Sequence, residues 1–184
     1  MTDEDLVDLV CKGETSRFEE LVQRHQDGVY SMALRYARSA GDAEDIAQEV
    51  FLRAFRSLDS FRHEAKFSTW LFRITYNHCV DWARRDTKRH AAERVLEEGE
   101  EIVDRRSGVE TEVLEEMERV EIRAEAGRLS ERYRSVIMMY YYDGRSYEEI
   151  GKILGVPPKT VETRLYRARR LMRRGLGSRG RMSK

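Results

Sequence analysis

The sequence is poor in proline, in cysteine and in uninterrupted apolar runs, and each shortage excludes something. Two prolines in 184 residues leave few points where a helix must break, so long helices are favoured. Two cysteines, Cys11 and Cys79, are too few for a disulfide framework and are expected as reduced core thiols. No apolar run approaches the roughly eighteen residues that a membrane-spanning helix needs. The first ten residues, MTDEDLVDLV, are acidic where a secretory leader is basic and then apolar, so a cytoplasmic location is expected. Gly-rich phosphate loops, a nucleophile elbow and a Cys-x-x-Cys pair are all missing. His25, His63, His78 and His90 are scattered, and one helix face cannot offer the adjacent His78 and Cys79 together to a metal. Neither an enzyme nor a metal or cofactor protein is expected, and no small-molecule substrate.

What is present is charge, unevenly placed. Lysine plus arginine and aspartate plus glutamate both number 34, but their distribution differs along the chain. Residues 1–90 carry 14 basic and 16 acidic groups, residues 91–126 carry 5 and 13, and residues 127–184 carry 15 and 5. A neutral total thus hides a basic C-terminal part, the footprint of a phosphate-binding surface.

Within that basic part, SYEEIGKILGVPPKTVETRLYRARRLMRR (146–174) reads as a helix-turn-helix. Ser146 and Glu149 form a capping box. Ile150, Ile153 and Leu154 follow at helical spacing, and Gly155 suits the left-handed position that ends a helix. Pro157 and Pro158 open the next helix, where a missing N–H is harmless. Val161, Leu165, Ala168 and Leu171/Met172 make its inward stripe. Lys159, Glu162, Thr163, Tyr166, Arg167 and Arg170 form the outer face, the one that enters a DNA major groove in such motifs.

The rest of the chain is read as helices by apolar spacing. Residues 3–11 turn Leu6, Leu9 and Val10 inward. Residues 15–38 bury Phe18, Leu21, Val22, Val29, Met32, Ala33 and Tyr36. Asp42 caps a helix over 42–57 with Ile46, Val50, Phe51/Leu52 and Phe55 as its buried stripe, leaving Asp45, Gln48, Glu49 and Arg53 outside. Residues 58–66 form a loop. A helix over about 67–88 lines its core side with Trp70, Leu71, Ile74, His78/Cys79 and Trp82 and ends on Arg84, Arg85, Lys88 and Arg89. Residues 91–112 are acid-rich and poor in large apolar groups, which reads as a flexible linker. Periodicity returns from Val113 to Gly127, and Ser130 can cap a helix over 131–142 with Val136, Ile137, Met139 and Tyr140 inward. The tail is Gly/Ser-rich and basic. The expected fold is all-α: two small helical domains, 1–90 and 113–184, joined by a flexible acidic linker at 91–112.

Two stretches carry a resemblance. DAEDIAQEVFLRAFRSLDSF followed by FSTWLFRITYNHCVDWARR resembles region 2 of the sigma-70 family. LSERYRSVIMMYYYDGRSYEEIGKILGVPPKTVETRLYRARRLMRR resembles region 4. Their order and the short chain are similar to an extracytoplasmic-function (group 4) sigma factor. That resemblance implies a factor that binds bacterial RNA polymerase core, recognises the −10 and −35 elements of promoter DNA and initiates transcription of a stress or envelope-response regulon. It also implies control by an anti-sigma factor.

The resemblance further implies site residues. Asp45, Gln48, Glu49 and Phe51 match the polymerase-docking helix; by themselves these acids read as a solvated helix face. Phe61, His63, Glu64, Ala65 and Lys66 match the loop that captures a flipped −10 base, and Asn77 a position on the melted strand. Arg84 and Arg85 are expected on phosphates, and Trp70 and Trp82 in the core. Lys159, Thr160, Glu162, Thr163, Tyr166, Arg167 and Arg170 match the −35 reader. Relatives often carry Arg or Lys where this chain has Glu162, so its −35 preference is expected to differ. Glu97, Glu98, Glu100, Glu101 and Asp104 match a segment that threads the polymerase channel; a plain solvated tether is the alternative. The competing reading is a helix-turn-helix regulator that acts without polymerase core. A helical interaction protein that binds no DNA leaves the basic C-terminal part unexplained.

Overall fold

The computed structural model describes the backbone of residues 1–94 and 126–179, and side chains of residues 1–87 and 126–173. Among the described residues every regular element is helical. The chain divides into two compact units, Met1–Ser107 and Gly108–Lys184. The expected linker beyond residue 94, the helix from Val113 and the last five residues of the tail lie outside the described residues.

The first unit contains α1 (Asp3–Cys11), α2 (Phe18–Leu34), α3 (Ala40–Arg56) and α4 (Phe67–Arg94), with short 3-10 turns at Thr15–Arg17 and Leu58–Ser60. Local chemistry sets two of the four starts. Thr2 caps α1 and Ser39 caps α3, each in a reciprocal box with the acid three residues on, Asp5 and Asp42. Asp42 is therefore the third residue of α3 rather than its cap. The expected helix over 15–38 starts as a 3-10 turn and ends its α-helical part at Leu34. The fourth helix continues past residue 88 to Arg94.

Leu6, Val7 and Val10 of α1, Leu21, Val29, Met32 and Ala33 of α2, Ala43, Ile46, Val50 and Ala54 of α3, and Leu71, Phe72 and Cys79 of α4 fill the core. Each fully buried branched aliphatic contributes about 1.5–3 kcal/mol. Two expected stripes are corrected here. On α1, Val7 takes the buried place assigned to Leu9. On α3, Ala54 lies inward, while Leu52 and Phe55 are 45% and 42% exposed. The reason is phase: two residues beyond the buried Val50, the chain has turned about 200°, so Leu52 must face away.

The second unit packs α5 (Glu131–Tyr141), α6 (Tyr147–Leu154) and α7 (Pro158–Arg179). Its core holds Tyr133, Val136, Ile137 and Met139 from α5, Ile150 and Ile153 from α6, and Val161, Leu165, Ala168 and Met172 from α7. Leu171 is exposed and Met172 takes the inward place. The turn between α6 and α7 follows the expected chemistry. Glu149 N–H donates to Ser146 Oγ at 3.2 Å and Ser146 N–H to the Glu149 carboxylate at 3.0 Å. Gly155 has φ 66°, and Pro157 carbonyl accepts from Thr160 and Val161 at 2.9 and 3.3 Å.

Gly151 fixes this turn in a way its spacing alone does not announce. Its carbonyl accepts the Val156 N–H at 2.9 Å. A Cβ on residue 151 would sit 2.7 Å from the Val156 carbonyl oxygen, a backbone atom that cannot swing aside. Gly151→Ala should destabilise the second unit by about 1–3 kcal/mol, whereas Lys152→Ala, on the exposed side of the same helix, should stay within about 0.5 kcal/mol. Both tryptophans, Trp70 and Trp82, lie in the first unit. A Gly151→Ala effect that appears in far-UV circular dichroism melts but leaves the tryptophan-monitored transition in place would bear this out; an unchanged melt would contradict it.

Candidate nucleic-acid interface

The outer face of α7 is presented as its sequence suggests. Lys159, Glu162, Thr163, Tyr166, Arg167 and Arg170 are exposed, Tyr166 to 64%, and Thr160 is half-buried at the helix start. Their helix is held from behind by Val161, Leu165 and Ala168, all essentially inaccessible. Three of the face's polar groups already have partners. Lys159 Nζ donates to Glu162 Oε2 at 2.8 Å, and Thr163 Oγ1 donates to the Lys159 carbonyl at 2.9 Å. An exposed pair of this kind contributes only about 0–1 kcal/mol, so an incoming phosphate or base edge can displace it at small cost.

Arg169, to which the sequence pattern assigns nothing, behaves differently from its neighbours. Its Nε donates to Tyr141 Oη at 2.8 Å, and its guanidinium lies over the Tyr140 and Tyr141 rings at 5.6 and 5.5 Å. It ties α7 to α5 as a brace and is not part of the outer face. The run of aromatic residues at 140–142 ahead of an arginine-rich helix is the sequence signal for such stacking.

In the first unit the segment 61–66 is shaped by one buried ring. Phe61 is only 8% exposed and meets Phe67, Trp70 and His63 at centroid distances of 5.9, 5.7 and 4.7 Å. Of the residues expected to touch a base, Phe61 is thus an internal anchor, while His63, Glu64 and Lys66 are exposed and Ala65 is half-buried. His63 has φ 57°, the left-handed region that is unfavourable for a residue with a Cβ. His63 Nε2 lies 3.2 Å from Asp8 Oδ1.

Asn77, Arg84 and Arg85 are all exposed on α4. Asn77 and Arg84 are two turns apart and share a stripe about 10 Å long. Arg73, one turn before Asn77, is also exposed and extends that stripe toward the half-buried Trp70. Sequence reading passes over it because it sits between core residues. Trp82, expected in the core, is half-buried as well. Arg84 pairs with Asp81 at 3.7 Å, and Arg85 Nε donates to the Asp81 carbonyl at 3.3 Å.

The third group lies on α3. Asp45 and Gln48 are exposed, and Glu49 and Phe51 are half-buried. Glu49 Oε1 accepts from Arg53 Nε at 2.9 Å, a bond that holds the Glu49 carboxyl below the usual range. Leu52 and Phe55 add exposed apolar surface, with Phe18 edge-on to Phe55 at 5.0 Å. An apolar anchor within a polar rim is the usual composition of a protein interface. Sequence reading misses both residues through the phase error on α3. Among the described residues no group of three or more His, Cys, Asp and Glu could hold a metal ion. Neither cysteine is in a disulfide; Cys79 is buried as a core thiol is expected to be, whereas Cys11 is exposed.

Comparison with known proteins places these surfaces in a family context. The profile described as Sigma-70 region 2 matches residues 21–89, and the profile described as Sigma-70, region 4, matches residues 119–172; α1 precedes both. The chain is 35% identical over 173 residues to the ECF RNA polymerase sigma factor SigW of Bacillus subtilis, covering 91% of this chain and 92% of that protein. It is 36% identical over 176 residues to the ECF RNA polymerase sigma-E factor of Escherichia coli K12, covering 92% and 91%. The structure of CnrH in complex with the cytosolic domain of CnrY superposes with a TM-score of 0.69 at 26% identity, covering 96% of this chain and 97% of that one. The sigma factor RpoE of Bartonella quintana, solved with the anti-sigma factor NepR, has the same fold at a TM-score of 0.64 and 22% identity, covering 87% and 96%.

One buried group makes the first unit acid-sensitive. His78 is 5% exposed, and its Nδ1 has no hydrogen-bond partner among the described residues. Burial first, and then the Arg53 charge, pushes its pKa below the ordinary 6.5. Between that lowered value and about 6.5 the unfolded chain holds a proton that the folded chain does not. Stability therefore rises with pH across that window and is lost as pH falls through it. The tryptophan-monitored urea midpoint should drop between about pH 7 and pH 5.5, and His78→Gln should flatten that drop. An equal drop in both proteins would show that other groups cause it.

Proposed function

The chain belongs to the family of extracytoplasmic-function RNA polymerase sigma factors, and from that premise we propose which of its faces performs which step. Its function is polymerase-directed transcription initiation. The observation that carries our assignment is the exposed row on α7, Glu162, Thr163, Tyr166, Arg167 and Arg170, opposite the buried Val161, Leu165, Ala168 and Met172.

In this reading α7 lies in the major groove of the −35 element. Tyr166 and Arg167 reach base edges together with Glu162 and Thr163, and Lys159 and Arg170 hold flanking phosphates. Glu162 accepts from a cytosine amino group, where a cation would have read guanine. Its bond to Lys159 opens as the lysine moves to a phosphate. The loop 61–66 receives a flipped −10 base through its exposed polar groups. Arg73, Asn77, Arg84 and Arg85 follow the strand beyond it.

The α3 face, with Asp45, Gln48, Glu49 and Phe51 beside Leu52 and Phe55, docks on polymerase core. CnrH and the Bartonella RpoE are each solved with a bound partner, so we assign the same apolar surface to an anti-sigma factor as well. The acidic residues Glu97, Glu98, Glu100, Glu101 and Asp104, outside the described residues, are assigned to the polymerase channel. The protein acts in the cytoplasm on a stress or envelope-response regulon, and it catalyses no reaction of its own. Among the described residues no helix is long and apolar enough to cross a membrane.

Run-off transcription from a randomised promoter library, with core polymerase and the full chain, tests this. Transcripts should depend on both components; a protein that footprints DNA alone and adds nothing to core would be a regulator of another kind. Glu162→Ala should shift base preference at one or two −35 positions by about 1–3 kcal/mol each. Lys159→Ala and Arg170→Ala should weaken all templates alike and lower the salt slope by about one unit per lost contact. An unchanged selection profile for Glu162→Ala would refute its role in reading.

A further inference from the structure

Helix α1 is short, acidic and ahead of the DNA-reading loop by some fifty residues of chain, yet three of its carboxylates hold the ground on which that loop stands. Asp3 binds α2: its Oδ1 accepts from Arg24 Nη1 at 3.0 Å and its Oδ2 lies 2.7 Å from His25 Nε2. Arg24 Nη1 also donates to the Met1 carbonyl at 3.2 Å. The His25 ring in turn meets the ring of Phe67, the first residue of α4, at 5.4 Å. Glu4 binds α4 directly, its Oε1 accepting the Phe67 N–H at 3.0 Å. Asp8 binds His63 at 3.2 Å, the residue whose φ is 57°. The apolar side of α1 is meanwhile locked by Leu6, Val7 and Val10.

The Glu4 contact replaces something the loop cannot supply. Lys66 occupies the capping position of α4, since its carbonyl accepts from Thr69 and Trp70 at 3.0 and 3.2 Å. A lysine side chain has no acceptor to offer the amides that a helix start leaves open. Glu4 therefore caps α4 from 63 residues away in sequence. One turn further along α1, Asp8 is paired with the residue that holds an unfavourable backbone conformation. The loop is thus gripped at its C-terminal end by Glu4 and at its middle by Asp8.

We propose that α1 is the positioning element of the base-capture loop, with Glu4 and Asp8 as residues that set −10 specificity without touching DNA. This rests on the reading of 61–66 as the −10 reader. The carboxylates fix where the exposed groups of Glu64 and Lys66 stand relative to the pocket. Loosening either one lets the loop relax from the His63 conformation and changes which base fits.

The test uses the full chain with core polymerase on a library randomised at the −10 element. Alongside it run competition binding to core and tryptophan-monitored unfolding. Glu4→Ala and Asp8→Asn should each lower the discrimination at one −10 position by roughly five- to tenfold, with core affinity and −35 preference unchanged. Glu4→Gln, which keeps an acceptor oxygen, should restore the profile. Glu14→Ala, which breaks only the exposed pair of Glu14 with Arg17, serves as the neutral control. In a His63→Gly background, where the left-handed conformation is free of strain, Asp8→Asn should add no further change. An unchanged −10 profile would overturn the proposal. So would a loss shared by all promoters that tracks a lowered unfolding midpoint, or an Asp8→Asn effect that persists in the His63→Gly background. Failure of the unmodified chain to direct any transcript would instead sink the sigma-factor assignment of the loop itself.

Discussion

A helix start leaves amide groups that need an acceptor, and in this chain the source of that acceptor determines where each working surface lies. Thr2, Ser39 and Ser146 supply it from the adjoining residue in sequence, and the acids at Asp5, Asp42 and Glu149 close the reciprocal bond. The helix that leads away from the loop has no such neighbour, because Lys66 carries a cation at the capping position. The acceptor comes from Glu4, and with it comes a dependence of α4, the loop before it and His63 on a helix at the far end of the unit's sequence. In the second unit Ser146 meets the requirement locally for α6, the expected cap Ser130 makes no side-chain bond at the start of α5, and α7 is braced to α5 by Arg169 on Tyr141.

That contrast explains what can be read from sequence. The helix-turn-helix is legible almost residue by residue: Ser146, Glu149, Gly155, Pro158 and the stripe Val161, Leu165, Ala168 each act on near neighbours. The outer face of α7 follows, since whatever is not inward on a helix packed from one side is outward. The pairing of Lys159 with Glu162 is implicit in their three-residue spacing, although the outer face reads first as a set of separate DNA contacts. In the first unit, element existence is legible and phase is not. Phe55 and Leu52 look like core by hydrophobicity, and only the packing of α3 shows that the small Ala54 takes the inward place. Phe61 looks like a DNA contact because the family match is positional, whereas its burial follows from three aromatic partners that sequence spacing does not bring together.

The electrostatics of the two units follow different logics. In the first, acids are engaged in internal tasks: Asp3 with Arg24 and His25, Glu49 with Arg53, and the buried Asp86 with Arg38. In the second, several arginines are engaged internally as well: Arg132 lies over the Tyr133 ring and Arg134 pairs with Glu131. Arg169 is tied down by tyrosines, and Arg145 lies 3.7 Å from Glu149, while Arg167 and Arg170 remain exposed on the reading face. A chain of neutral total charge thus presents a basic outer face on α7, in which Glu162 is paired with Lys159.

The contact at Gly151 separates two kinds of inheritance in one short motif. The turn tolerates no side chain there, so the angle between α6 and α7 is fixed by backbone shape. The groups that face outward on α7, by contrast, contribute almost nothing to that shape. Substitutions at Glu162, Thr163, Tyr166 and Arg167 can therefore change what α7 presents outward without renegotiating the fold. Duplicated copies of the motif can diverge in their outward chemistry while keeping one backbone.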